Sequence, residues 1–166
     1  MSIKCIDNFL SPEAFQELKD IFLSDNFPWY FNDRKVFAGD NMFQFTHGVY
    51  RDHQPHSDWY SKIPKELYVK LEVHLLIAYK ANLTTRLHEK TLTHFHTDVI
   101  TPNATTSILY MNTSNGCTHF KTGEKFESVE NRLVSFPSHM EHAGSAHTDT
   151  KCRVVLNINY LTLGKL

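Results

Sequence analysis

What is scarce in this chain narrows its reading first. No apolar run approaches the roughly 20 residues that a membrane-crossing helix requires. The opening Met-Ser-Ile-Lys-Cys-Ile-Asp-Asn lacks the apolar core of a signal peptide. Cysteine is sparse, and Cys5, Cys117 and Cys152 form no CxxC pair. That excludes a disulfide frame and a zinc knuckle, and points to reduced thiols in a cytoplasmic, intracellular setting. Neither sign of charge is in excess, with 17 Lys and Arg against 18 Asp and Glu. A basic groove for nucleic acid and a patch for an anionic membrane are therefore not expected. Internal repeats and low-complexity linkers are absent too. Residues 1–166 read as a single domain, with helical support over 1–75 and a core over about 76–160.

What is present is a folded composition, 41% hydrophobic and 21% charged, with one oddity: 11 histidines, six of them from His94 to His147. The centre of that stretch is His94-Phe95-His96-Thr97-Asp98. In an extended strand, residues two apart point the same way, so His96 and Asp98 share a face. An imidazole and a carboxylate on one face are two thirds of a facial metal triad. His142, entering a later strand as His-Ala-Gly, would complete a 2-His-1-carboxylate set suited to non-haem Fe(II) with open positions. His94 lies on the same face and rivals His96, while His139, on the Pro137-Ser138 turn, and His147, in a polar loop, compete with His142.

Around this stretch the elements fall into two groups. Ser11-Pro12-Glu13 has the chemistry of a helix start, a capping hydroxyl followed by proline and an acid. Phe15, Leu18 and Phe22 then recur at helical spacing, predicting a helix over 12–24. Residues 25–60 have no clean period; short strands are expected at Lys35–Ala38 and Met42–Val49. The aromatic run Phe27-Pro28-Trp29-Tyr30-Phe31 suits either core or a cover over a site. Pro64 opens a second helix through Leu67 and Leu71 towards Leu75, and Leu76–Leu83 reads as a strand. Beyond it, strands are expected at about 92–98, 106–111, 117–120, 124–127, 132–136, 140–143 and 152–160, separated by turn signals such as Ser114-Asn115-Gly116 and Thr122-Gly123. Short strands at this spacing after two helices predict a mainly β (α+β) jelly roll with the helices on its outer face.

The last strand carries a parity test. Arg153, Val155, Asn157 and Asn159 share one face, and Val154, Leu156, Ile158 and Tyr160 the other. The apolar face is expected to pack on the helices. The polar face then points inward, where polar groups are costly unless satisfied, so it predicts a cavity with a polar ligand.

An isolated HxD is a weak signal, but here a grammar follows it: Ser107-Ile108-Leu109-Tyr110-Met111-Asn112, Asn115-Gly116-Cys117-Thr118-His119-Phe120, Val129 to Phe136, His142-Ala143-Gly144, and Arg153 eleven residues after His142. Over roughly residues 76–160 this resembles the Fe(II)/2-oxoglutarate-dependent dioxygenases, in the prolyl-4-hydroxylase-like branch and among its short phage and marine-bacterial members. The resemblance implies a double-stranded β-helix (jelly roll, cupin-like). It implies His96, Asp98 and His142 as iron ligands and Arg153 as the anchor of the far carboxylate of 2-oxoglutarate. Tyr110 matches a tyrosine bonding that carboxylate, Thr106 and Asn157 match positions lining its pocket, and Tyr79 would face the same cavity.

The implied reaction hydroxylates an unactivated C–H bond, in a prolyl or other protein side chain or in a small molecule. 2-Oxoglutarate and dioxygen are consumed, succinate and CO2 released, and ascorbate is a reductant such enzymes use. Asn115-Gly116-Cys117 departs from the family's Gly-Gly and puts the local turn in question. Asp98 is retained where halogenating relatives lose the carboxylate, which favours hydroxylation. Two alternatives keep the jelly roll: a cupin-like metal enzyme without 2-oxoglutarate, and a non-catalytic binding module.

Overall fold

The computed structural model describes residues 2–163. In chain order its elements are β1 (Lys4–Ile6), α1 (Pro12–Phe22), β2 (Tyr30–Asn32), β3 (Gln44–Arg51), β4 (Gln54–Pro55), a 3-10 turn (Asp58–Lys62) and α2 (Lys65–Lys70). β5 (Leu75–Thr85), β6 (Thr105–Tyr110), β7 (Ser114–Phe120), β8 (Lys125–Ser128), β9 (Leu133–Pro137), β10 (His142–Gly144) and β11 (Cys152–Leu161) follow. No helix among the described residues is long and apolar enough to cross a membrane.

α1 begins as its sequence dictates. The Ser11 hydroxyl accepts from the Ala14 amide at 3.3 Å, and Pro12 occupies the first turn. Glu66, at the start of α2, accepts from both the Ser11 amide (2.8 Å) and its hydroxyl (2.7 Å), so one carboxylate ties the two helix starts together. α1 buries Ala14, Phe15, Leu18, Ile21 and Phe22; full burial of a large apolar side chain contributes about 1.5–3 kcal/mol. Both helices are shorter than their spacing predicts. α1 stops at Phe22, and α2 stops at Lys70 because Glu72 takes a left-handed φ of 54° and turns the chain into β5.

A large antiparallel sheet runs β1-β9-β6-β11-β5-β3-β2, with β4 on β3, and a small one runs β10-β7-β8. This is the mainly β jelly roll expected, with α1 and α2 on the outside of the large sheet. The last strand divides as its alternation requires. Val154, Leu156, Ile158 and Tyr160 join Phe15, Leu18, Phe22 and Leu67 in the outer core. Val155 joins Ile108, Tyr110, Phe120, Val134 and Phe136 in a second core between the sheets.

Three expectations are corrected. Residues 92–98 do not form a named strand: they pair only through isolated bridges, Leu92 with Ser145 and His96 with His142. The Gly144 amide bonds the Thr93 hydroxyl instead of continuing a ladder, and Asp98 leaves the pairing to meet β11. Lys35–Ala38 is loop, because Asp40 draws its amides inwards; its carboxylate accepts from Lys35 N (3.0 Å), Val36 N (2.8 Å) and Met42 N (3.0 Å). The expected Met42–Val49 strand is β3, displaced to Gln44–Arg51. The aromatic run divides: Phe27 is buried, packing on Trp29 and Trp59, while Tyr30 and Phe31 are exposed on edge strand β2.

Candidate active site

His96 and His142 face one another across an antiparallel bridge closed by two backbone hydrogen bonds of 3.0 and 2.9 Å, which brings their ring centroids to 4.7 Å. Each imidazole Nδ1 sits on a nearby carbonyl, His96 on His94 O (3.1 Å) and His142 on Met140 O (3.3 Å). A carbonyl only accepts, so Nδ1 carries a hydrogen in both rings and Nε2 is the ring atom left to face the group. Asp98 closes the group, with its Oδ2 3.3 Å from His142 Nε2 and 2.9 Å from the Asn157 amide nitrogen.

One ligand atom from each of His96, Asp98 and His142 lies within 4.8 Å of the others. Two imidazoles presenting Nε2 and one carboxylate, each oriented by a second hydrogen bond, fit Fe(II) with positions left open. Burial alone would push the Asp98 carboxyl up, but the hydrogen bond and field of His142, with the Asn157 bond, hold it well below the usual carboxylate range. Burial and the neighbouring His142 push His96 down, keeping it neutral and metal-competent.

These residues line a cavity of about 100 Å³ whose wall also carries Arg153, Val155 and Asn157 from β11. Arg153 and Asn157 are four residues apart on one strand face, about 13 Å along it. Arg153 is 7% exposed. Its Nε donates to Ser128 Oγ at 2.5 Å and its Nη2 reaches Thr118 Oγ1 at 3.5 Å. Its guanidinium lies 5.4 Å from the Tyr110 ring centroid. Among the described residues no carboxylate pairs with it. Burial lowers its pKa, yet a guanidinium stays charged under any ordinary condition. The site therefore has a group able to hold a metal ion at one position and an unpaired buried cation at another.

No protein-family model matches the sequence, and no curated protein does. Solved structures do match. A 2OG-Fe(II) oxygenase-family oxidoreductase from Burkholderia pseudomallei superposes with a TM-score of 0.65 at 8% identity, covering 95% of this chain and 84% of its own. A Trichoplax adhaerens prolyl hydroxylase, in complex with a hypoxia inducible factor peptide fragment, gives 0.67 at 12% identity, covering 98% and 84%. The non-heme alpha ketoglutarate dependent epimerase SnoN from nogalamycin biosynthesis gives 0.68 at 11% identity, covering 96% and 77%.

The chain has the 2OG-Fe(II) oxygenase fold.

At these identities the likeness extends to the fold alone, and since a hydroxylase and an epimerase both match, it selects no reaction. Within this oxygenase fold the residues singled out from the sequence fall into three positions. His96, Asp98, His142, Arg153 and Asn157 are brought to one cavity. Tyr110 and Thr106 stand one step behind it. The Tyr110 hydroxyl donates to Thr118 Oγ1 at 2.8 Å, and Thr106 bonds Ser138 and Asn159. Tyr79 does not line that cavity: it pairs with Ile158, a residue of the helix face, packs on Phe22 with ring centroids 6.3 Å apart, and borders only the adjoining groove beside Asp98. Its immediate neighbour Lys80, one residue out of phase, faces the cavity with Asn82 and Thr84.

The rival histidines lie elsewhere. His94 is exposed against Phe37, His139 is exposed on its turn, and His147 is fully buried outside the cavity lining. The departure at Asn115-Gly116-Cys117 sits at a register shift in β7. A Cβ on Gly116 would meet Arg153 Cδ at 2.9 Å and Ser145 O at 3.2 Å, so glycine here lets the arginine stem lie on the strand. Thr118, Lys35, Gln44 and Ser145 also line the cavity and were not foreseen. Thr118 alone had a local signal, its shared strand face with Phe120.

Proposed function

We propose that this chain is an Fe(II)- and 2-oxoglutarate-dependent oxygenase, one domain over residues 1–166, that hydroxylates an unactivated C–H bond. The observation that carries the reading is Arg153, a buried guanidinium without a carboxylate partner on the wall that also bears His96, Asp98 and His142. An unpaired buried charge is costly, and a ligand carboxylate offsets that cost.

His96, Asp98 and His142 would hold the metal. Bound there, iron supplies dioxygen activation coupled to oxidation of 2-oxoglutarate to succinate and CO2. The chain does the rest by position. The Nδ1–H bonds to His94 O and Met140 O fix both imidazole planes. Arg153 presents a planar fork to the far carboxylate. Thr118 accepts from Tyr110 and Arg153, so its own hydroxyl hydrogen is free to donate to that same carboxylate. Tyr110 thus acts through Thr118. Ile108 and Val155 supply an apolar wall that excludes water beside the polar groups.

A groove lined by Tyr30, Thr46, Gly48, Tyr50 and His56 leads from Asp98 towards edge strand β2. It is open enough for a side chain carried on a peptide, and the matched prolyl hydroxylase holds a peptide. A prolyl or other protein side chain is the substrate class this supports first, with ascorbate as reductant and an intracellular setting.

The test is anaerobic Fe(II) titration with and without 2-oxoglutarate, following the visible metal-to-ligand charge-transfer band in wild type, Asp98→Ala and Arg153→Ala. A band that needs both additions and fades in both variants is the expected result. Metal binding with no 2-oxoglutarate-dependent band would overturn the reading and leave a metal-binding jelly roll.

A further inference from the structure

Besides Lys80, whose charge acts on Asp98, two cations line this cavity without an ion-pair partner among the described residues. Arg153 is one. The other is Lys35, on the loop 33–43 that joins β2 to β3. Its ammonium group makes no hydrogen bond or ion pair with any described residue. Burial pushes its pKa down, the charge of Arg153 pushes the same way, and Asp40 opposes both.

Asp40 is the nearest candidate partner, and the loop keeps it from Lys35. Both its oxygens are taken by backbone amides, Oδ2 by Lys35 and Val36 and Oδ1 by Met42. The Gln44 amide fastens the loop again, donating to Arg34 O and Lys35 O at 3.4 and 3.3 Å. Phe37 then packs on His94 in a tilted contact, ring centroids 4.7 Å apart, two residues from His96. The loop is therefore a built roof in which Asp40 is held by backbone amides while Lys35 lines the cavity. Two desolvated like charges in one small cavity repel, and no carboxylate among the described residues makes an ion pair with either.

We infer that Lys35 binds the distal carboxylate of the 2-oxoacid together with Arg153. Selectivity for a dicarboxylate is then shared between β11 and the loop, and the cosubstrate itself draws the roof onto the site. This rests on the 2-oxoglutarate reading above. Because the ammonium approaches from the loop and the guanidinium from the sheet, each can be removed separately.

The experiment uses the Fe(II)-loaded protein under anaerobic conditions. It compares the affinity of 2-oxoglutarate with that of 2-oxobutyrate, which keeps the chelating 2-oxoacid end but has no distal carboxylate. In wild type, 2-oxoglutarate binds the tighter. Lys35→Met is expected to weaken 2-oxoglutarate by about tenfold or more, with 2-oxobutyrate and Fe(II) affinity unchanged. Lys35→Arg, which keeps the charge, is expected to restore most of the loss and guards against a merely misfolded loop. Equal 2-oxoglutarate affinity in wild type and Lys35→Met, or an equal loss for both 2-oxoacids, overturns the inference while the oxygenase reading stands. Wild type that binds neither 2-oxoacid overturns the reading and the inference together, before any variant is made.

Discussion

The Asn157 amide donates to Asp98 Oδ2 at 2.9 Å, and that bond is the end of a chain with one direction. Asn157 Oδ1 accepts from the Asn159 amide (2.8 Å), and Asn159 Oδ1 accepts from the Thr106 hydroxyl (2.7 Å). Thr106 has one proton, given to Asn159, so its 2.8 Å contact with Ser138 must be donated by Ser138. From Ser138 to Asp98 every donor points towards the carboxylate, through residues all nine-tenths buried or more up to Asn157. Such a chain both polarises and positions the group at its end.

Breaking this chain near Asp98 and far from it should have different effects. Asn157→Ala is expected to weaken Fe(II) or Co(II) binding by about 10–100-fold, as removal of an outer hydrogen bond to a ligand commonly does. Asn159→Ala should cost roughly 1–3 kcal/mol of stability by stranding the Asn157 carbonyl and the Thr106 hydroxyl. Metal titration and urea unfolding of each variant measure the two. Unchanged metal affinity in Asn157→Ala would show that the ligand pair holds Asp98 unaided.

Gly116→Ala separates the two ends of the cavity. Its new methyl meets the Arg153 stem at 2.9 Å and backbone at 3.2 Å, so the guanidinium must shift while the ligand set is untouched. Weaker 2-oxoglutarate binding, by about tenfold, with normal Fe(II) affinity is expected from calorimetry. Loss of both together would mean that the strand, and not the arginine, had moved.

Arg153→Met should cut the stabilisation that 2-oxoglutarate gives without lowering the stability of the ligand-free protein. Methionine keeps much of the stem's volume and removes an unpaired buried charge. For wild type, ligand at a hundred times its dissociation constant adds about 2.7 kcal/mol, and this increment should vanish in the variant. Thermal melts with and without 2-oxoglutarate decide the matter. A variant far less stable than wild type even without ligand contradicts it.

The stability should fall in acid before any carboxylate titrates. His96 is pushed below the ordinary value of 6.5 by burial and then by His142, and His147 by burial and then by Arg153. As the pH drops through 6.5 the unfolded chain takes up protons that the folded chain refuses, so the stability held above that value is lost below it. Each such histidine contributes a slope of up to about 1.4 kcal/mol per pH unit. Urea midpoints at about pH 7.5 and about pH 5.5 measure this, and His147→Gln should flatten the difference. An identical pH slope in that variant would remove His147 from the account.

Local rules settled much of this protein before any fold was known. Strand alternation divided Arg153, Val155 and Asn157 from Val154, Leu156 and Ile158, and both faces pack as that division requires. Capping chemistry marked the start of α1 at Ser11 and Pro12. The HxD spacing placed two ligand types together because the backbone there is extended, even though residues 92–98 pair only through isolated bridges. In each case the deciding interaction reaches only a few residues along the chain.

Only the tertiary structure decided which residues stand opposite one another. Tyr79 turns to the helices because its partner across the ladder is Ile158, and nothing within β5 itself says so. Thr118 reaches Arg153 from a different sheet. Lys35 belongs to a stretch with no period, held by Asp40 and Gln44, and it shares its cavity with an arginine more than a hundred residues later. Periodicity fixes the direction a side chain leaves its own backbone; register and loop closure determine what it meets.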